Sequence, residues 1–180
     1  MTAFRAWPSA CQLTSADLVL EPLRIEHAEE LVTALDDPSL HTYTGGRPAT
    51  LGRLRERYRR QVAGRSDDGA QLWFNWVLRA RESRSAVGFV QATVSAPDEA
   101  DEMEEADVVA EVAWVVSTGH QGRGYAAQAV ATMVAWLRAQ GAGRILAHIH
   151  PGHRASIRVA ERIGMRPTDT TVDGEVRWTG

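Results

Sequence analysis

Six consecutive residues, Gln121-Gly122-Arg123-Gly124-Tyr125-Ala126, carry the most pointed chemistry in the chain. They stand between a stretch that reads as a strand and the start of a long helix. The first turn of a helix leaves its backbone N–H groups unpaired and carries the positive end of the macrodipole, which makes it a site for an anion. Closely spaced glycines let a diphosphate approach those donors, because Gly122 and Gly124 lack the Cβ that would stand in the way. His148, His150 and His153 form a second group: alternate strand residues share a face, and a third imidazole follows three positions on, a spacing that suits a metal ion. No acidic or cysteine ligand accompanies them, so the expectation is no metal site. Cys11 is the only cysteine, which excludes an internal disulfide, and it has no histidine near it in sequence to make it a nucleophile.

The glycines also fit a dinucleotide fingerprint, Gly122-x-Gly124-x-x-Ala127. That reading needs an acidic residue at the end of the next strand, about 20 residues on, to bind a ribose. The next strand ends in His148-Ile149-His150 instead, and a hairpin pattern precedes the loop. Only about 30 residues then remain, too few to complete a doubly wound sheet.

The elements that must position this loop follow from periodicity. Residues 1–16 mix Trp7, Pro8 and small polar residues without a period and read as an arm, with one domain over 17–180. Residues 18–23 read as a strand, and Ala28, Leu31, Val32 and Leu35 mark an amphipathic helix that Asp36-Asp37-Pro38 stops. Thr50 is placed as the N-cap of a second helix with Leu51, Leu54, Tyr58 and Val62 on one face and Arg53, Arg55, Arg57, Arg59 and Arg60 elsewhere. Residues 71–79 and 87–94 alternate as a hairpin around a polar turn. The stretch 98–107, dense in Asp and Glu, is expected to be a solvent-exposed connection.

A strand over 111–116 leads into the glycine loop, and the helix after it carries Ala127, Val130, Val134 and Leu137 as an apolar stripe. The strand 144–150, a short helix with Ile157, Ala160 and Ile163, and two strands around Asp173-Gly174 complete the chain. This order predicts a single α/β domain with a mixed sheet.

Composition narrows the function further. The chain has 180 residues, 20 basic against 23 acidic side chains, a formal net charge of −3 and 44% hydrophobic residues, the profile of one globular domain. At this length folding buries about 70% of the surface that the unfolded chain exposes, so no disulfide or structural metal is needed to hold a core. All the basic residues are arginine, each a fork suited to phosphate or carboxylate, although a compositional bias of the genome gives the same result. The balanced charge argues against a general nucleic-acid binder. No apolar run approaches the roughly 20 residues that cross a bilayer, and the N-terminus lacks the apolar core of a leader, so no membrane partner and a cytoplasmic location are expected.

Three segments together resemble a known family. Gln121-x-x-Gly124-x-Ala126 resembles the pyrophosphate-binding signature Gln/Arg-x-x-Gly-x-Gly/Ala of the GNAT superfamily of acetyl-CoA-dependent N-acetyltransferases. The opening from Asp17 through Leu23-Arg24, with its helix and Asp37-Pro38, is similar to the branch that includes the RimJ/RimL-type ribosomal-protein N-terminal acetyltransferases. Pro151-x-His153-x-x-Ser156 through Gly164-Met165 resembles the Pro-x-Asn-x-x-Ser…Gly-Phe/Met ending of that branch. The likeness spans about 17 to 178, and three motifs in order are more specific than one.

The resemblance implies a fold of the α+β type, a mixed, mostly antiparallel sheet flanked by helices whose central strand pair splays, with the backbone of Trp114, Val115 and Val116 pairing with the pantetheine arm of acetyl-CoA, the co-substrate. It implies that the amides of Gln121, Gly122, Arg123, Gly124, Tyr125 and Ala126 hold the diphosphate, with the Arg123 side chain near the phosphates. Direct transfer to an amine needs a base, for which Glu111 is the candidate, and a group near the departing sulfur, for which Ser156 is the candidate. His153 takes the position of the family's Asn as a cofactor contact, and the acid tyrosine of many members is replaced near Ala160.

The acceptor, a protein N-terminus or a small-molecule amine, is expected in a cleft lined by Tyr43, Arg47, Trp73 and Trp76. The acidic stretch 98–107 could recruit a cationic acceptor or be a solvated loop. A homodimer is the partner expected from the family. The alternative is a catalytically silent GNAT-like module that binds acyl-CoA, or docks a partner through the arginines of 53–60.

Overall fold

The computed structural model describes residues 7–96 and 108–180, so the acidic stretch 98–107 lies outside the described residues. Among the described residues eight strands form one sheet: β1 (Leu13–Thr14), β2 (Leu18–Pro22), β3 (Gln71–Ala80), β4 (Ala86–Ser95), β5 (Val108–Val116), β6 (Ala142–Ile149), β7 (Arg166–Val172) and β8 (Glu175–Thr179). Their spatial order is β1-β2-β3-β4-β5-β6-β8-β7. Every neighbouring pair is antiparallel except β5 and β6, which run parallel. A parallel pair needs a crossover, and here it is α3 (Tyr125–Ala139). The other helices are α1 (His27–Ala34), α2 (Leu51–Gln61) and α4 (Arg154–Arg162). The sheet is mixed, as the order of periodic segments predicts, and mostly antiparallel, as the family resemblance implies.

Local chemistry sets several boundaries. Thr50 Oγ1 accepts the Arg53 N–H at 3.4 Å and starts α2, and Asp37 caps a 3₁₀ turn over Pro38–His41. Asp173 and Gly174 both have positive φ, 51° and 83°, the pair that a tight turn between β7 and β8 demands.

Helices cover both sheet faces. α3 lays Ala129, Val130, Met133 and Leu137 against Leu18, Leu20, Trp76, Leu78 and Val90, while α1 and α2 place Ala28, Leu31, Leu54 and Tyr58 over Val77 and Ala86. The consecutive residues Trp76, Val77 and Leu78 are therefore all fully buried, where a half-solvated strand would alternate. Residues 7–16, read as an arm, join this core: Leu13 pairs with Leu20 in the sheet, and the Trp7 ring lies 5.6 Å from Phe74 and 6.4 Å from Trp136. Scattered apolar residues carry no periodic signal, so only long-range packing reveals this role.

The feature that positions the site is a splay in the middle of the sheet. β5 pairs with β4 all the way to Val116, but it pairs with β6 only as far as Glu111 opposite Leu146. Beyond that point β6 follows β8 instead, from Leu146 opposite Thr179 to Ile149 opposite Val176. A wedge opens between the ends of β5 and β6. Gly88 of β4 lies beside the β5 wall of this wedge, where a Cβ would collide with the Val115 carbonyl, so only glycine permits the approach.

A polar cluster under α1 gives stability a pH dependence. His27 is buried, its Nδ1 accepts the Arg24 N–H at 3.1 Å, and its Nε2 faces Glu21 Oε2 at 3.4 Å without the geometry of a hydrogen bond. Burial, reinforced by the charge of Arg24, lowers the His27 pKa below the ordinary 6.5. A base with a depressed folded-state pKa binds fewer protons folded than unfolded, so its contribution is full above about pH 6.5 and is lost as pH falls through the folded value. Burial and the neighbouring His150 depress His153 in the same sense. The melting temperature should therefore fall between pH 7.5 and pH 5, and should fall less in His27→Gln. A flat profile in the parent chain over that range would contradict the burial of His27.

Candidate functional site

The wedge, the glycine loop, α3 and α4 enclose a cavity of about 1210 Å³. Pockets for single drug-sized ligands run from about 300 to 1,000 Å³, so this one has room for a long ligand and a second molecule. Trp114, Val115 and Val116 form its β5 wall and Ile149 its β6 wall. The Ser117 N–H donates to the Val87 carbonyl at 2.9 Å, and strand alternation then turns the Trp114 and Val116 backbone groups away from β4, into the wedge.

The glycine loop closes the end of the cavity. Gly124 takes the left-handed conformation, φ 77° and ψ 4°, and forms the N-cap of α3 with no side-chain hydrogen bond. The first bond of the helix runs from Gln128 N to Gly124 O at 3.1 Å, which leaves the N–H groups of the first turn for an outside acceptor. The Gln121 side chain does not reach outward: its Nε2 donates to the Val116 carbonyl at 3.0 Å and ties the loop to the end of β5. Gln121, Gly122, Gly124, Tyr125 and Ala126 border the cavity, whereas Arg123 is exposed and does not.

Cations come from α4 instead. Arg154, Arg158 and Arg162 all border the cavity, and Arg162 Nη1 lies 3.9 Å from where a Gly124 Cβ would stand. Sequence reasoning missed them, although their four-residue spacing on one helix face was the signal that could have found them. At the start of α4, His153 is the N-cap and its Nδ1 accepts the Ser156 N–H at 3.5 Å. The capping role therefore belongs to His153, while Ser156 borders the cavity from within the first turn.

Tyr43 stacks on His153 with ring centroids 4.5 Å apart and lies 5.3 Å from His150. Gly152 fits beneath these rings, since a Cβ there would stand 3.2 Å from both Tyr43 and His150. The hydrogen bonds of Ser39, with help from the Thr118 hydroxyl, hold the Asp37 carboxyl below its usual range. Ser39, Leu40, Thr42 and Tyr43 of this segment border the cavity.

Of the other expected acceptor-lining residues, Arg47 is exposed and outside the cavity. Trp73 lines a separate cavity of about 240 Å³ together with Trp7 and Gln61. Trp76 is fully buried under α3 and lines neither. The reason is register: β4 and β5 stand between β3 and the wedge, and alternation turns Trp76 to the α3 face.

Glu111 sits at the apex of the wedge, but its side chain is 53% exposed and does not border the cavity. His148 does border it, is 17% exposed, and joins its Nδ1 to Glu111 Oε1 at 2.8 Å. Arg177 Nε approaches the other ring nitrogen at 3.5 Å. Among the described residues, no three His, Cys, Asp or Glu side chains gather as metal ligands would, and no helix is long and apolar enough to cross a membrane.

Comparison with known proteins gives a consistent picture. The family model described as the acetyltransferase (GNAT) domain matches residues 17–166. The chain is 29% identical over 136 residues to the uncharacterized protein YkkB of Bacillus subtilis (strain 168), covering 75% of this chain and 73% of that one. RimL, the ribosomal L7/L12 alpha-N-protein acetyltransferase solved with coenzyme A, superposes with a TM-score of 0.72 at 13% identity, over 94% of this chain and 97% of its own. The microcin C7 self-immunity acetyltransferase MccE, solved with acetyl-CoA and AMP, gives 0.69 at 12% identity, over 92% and 93%.

Proposed function

Because the chain belongs to the GNAT acetyltransferase domain family, we propose that it moves an acetyl group from acetyl-CoA to a primary amine by direct transfer, the acceptor being a protein N-terminus or a small molecule. The observation that carries this reading is the shared cavity: a strand wedge and an uncapped helix N-terminus open into the same space. An extended pantetheine can pair with the Trp114 backbone and the Val116 N–H as an added strand would, while the diphosphate meets the N–H groups behind Gly124. Arg158 and Arg162 supply the charged partners, a role that the family resemblance implies for Arg123.

Ser156, His153 and Tyr43 surround the part of the cavity where the sulfur would lie, with the Ser156 hydroxyl available to the departing thiolate. Glu111 contributes the carboxylate of the proton path. Proteins of this fold solved with coenzyme A and with acetyl-CoA support the cofactor assignment. No side chain bordering the cavity is a cysteine, which favours transfer within a ternary complex over a covalent acetyl-enzyme.

Acetyl-CoA at about 100 times its Kd should stabilise the folded chain by about 2.7 kcal/mol. For a chain of this length that raises Tm by roughly 5–10 °C. NAD should leave Tm unchanged. No shift with acetyl-CoA would refute the reading, and a shift without thiol release toward any of a panel of primary amines would instead indicate a silent acyl-CoA-binding module.

A further inference from the structure

We propose that His148 takes the proton from the acceptor amine and that Glu111 is a positioning residue acting through it, an inference that rests on the acetyl-transfer reading. The first ground is location. His148 borders the cavity at the apex of the wedge, where pairing between β5 and β6 stops, whereas Glu111 stands outside the cavity and is half-exposed.

The second ground is the tautomer. An ionised carboxylate can only accept, so the 2.8 Å contact between Glu111 Oε1 and His148 Nδ1 places the ring proton on Nδ1. Arg177 Nε can only donate, and it faces Nε2 at 3.5 Å, which requires a lone pair there. Two neighbours on different strands thus demand the same tautomer, and the nitrogen left as base is the one turned from Glu111. The Arg177 contact is long, so an approaching amine can displace it.

The charged and titratable groups around this imidazole are Glu111 on β5 and Arg177 on β8, with Glu175 and His150 bordering the same cavity. Glu111 favours the imidazolium that proton transfer creates, and Arg177 opposes it.

In the resulting sequence, the acceptor enters as an ammonium and gives one proton to His148 Nε2. The freed amine attacks the thioester carbonyl carbon, the C–N bond forms and the carbonyl electron pair moves to oxygen. Collapse reforms the carbonyl and breaks the C–S bond, and the remaining ammonium proton passes to sulfur, with the Ser156 hydroxyl available as relay. The products are the amide, the CoA thiol and one proton, which the imidazolium returns to solvent.

The test uses the full chain, acetyl-CoA, and two probe nucleophiles: phenethylamine, which is protonated at neutral pH, and hydroxylamine, which is not. His148→Gln should lower kcat with phenethylamine by about 10²- to 10³-fold while keeping the acetyl-CoA thermal shift, and should lower the hydroxylamine rate far less. Glu111→Gln should move the acid limb of the kcat profile to lower pH, and Glu111→Asp should restore most of it. Histidine ¹⁵N spectra should show His148 protonated on Nδ1 and mixed between tautomers in Glu111→Gln. An Nε2-protonated ring, or a His148→Gln chain as fast as the parent beside a dead Glu111→Gln, overturns the proposal. Absence of any acetyl-CoA shift marks failure of the acetyl-transfer reading instead, and the ¹⁵N spectra still decide the Glu111–His148 pair.

Discussion

Trp76→Ala should cost about 4 kcal/mol of folding stability and lower Tm by roughly 8–16 °C. Among the described residues Trp76 is the largest fully buried side chain, stacked 6.2 Å from Phe74 and edge-on to Trp136 at 5.3 Å. Its indole N–H also donates to the Cys11 carbonyl at 2.8 Å, so the residue fastens the N-terminal segment to the sheet. Truncation therefore removes aromatic packing, leaves a void and orphans a backbone acceptor in one step. Trp76→Phe separates these effects: most of the packing remains and the lost hydrogen bond costs about 1 kcal/mol. Urea titration should show the midpoint falling at constant slope in both variants. Because β4 and β5 separate β3 from the wedge, acetyl-CoA affinity measured well below the new midpoint should stay that of the parent. A loss below 1 kcal/mol in Trp76→Ala would mean that this core is not packed as described.

That result bears on what the sequence could reveal. The sequence points to Trp76 at an acceptor cleft because alternation gives the period of a strand but not which face meets which helix. Elements with strong local signals were legible: the amphipathic helices, the hairpin of β3 and β4, the Asp173-Gly174 turn and the glycine loop at the start of α3. The wedge was legible only through family resemblance, since a parallel pair that stops midway is a fact of long-range register. The same holds for the contact between Glu111 and His148, 37 residues apart in the chain. The spacing of His148, His150 and His153 suits a metal ion, yet the strand partner of His148 across the wedge apex is a carboxylate, and the other two imidazoles pack around Tyr43. Arg158 and Arg162 show a different limit: their spacing was visible, but nothing local says that α4 faces the phosphate end of a cavity.

Gly124→Val should weaken acetyl-CoA binding or fold stability by a combined 2 kcal/mol or more, about 30-fold if all of it falls on affinity. Space does not decide this outcome, because a Cβ at Gly124 would meet only Arg162 Nη1, at the ordinary contact distance of 3.9 Å. Backbone conformation decides it. At φ 77° a residue with a Cβ pays roughly 1–2 kcal/mol, and a β-branched one more. The chain can respond in two ways with opposite signatures. If the loop keeps its shape, the strain stays in the folded state, Tm falls and the Kd for acetyl-CoA is unchanged. If the loop relaxes, Tm is preserved, but the first-turn N–H groups of α3 no longer converge on the diphosphate and the Kd rises. Calorimetric titration and thermal melts on Gly124→Ala, Gly124→Val and Gly124→Asn distinguish the two. Asn tolerates the left-handed region best of the three and should remain closest to the parent in both measurements. Ala should show an effect of about 1 kcal/mol, and Val the largest. Parental affinity and parental Tm together in Gly124→Val would mean that the left-handed turn is not what presents the donors, and the diphosphate site would have to be sought along α4.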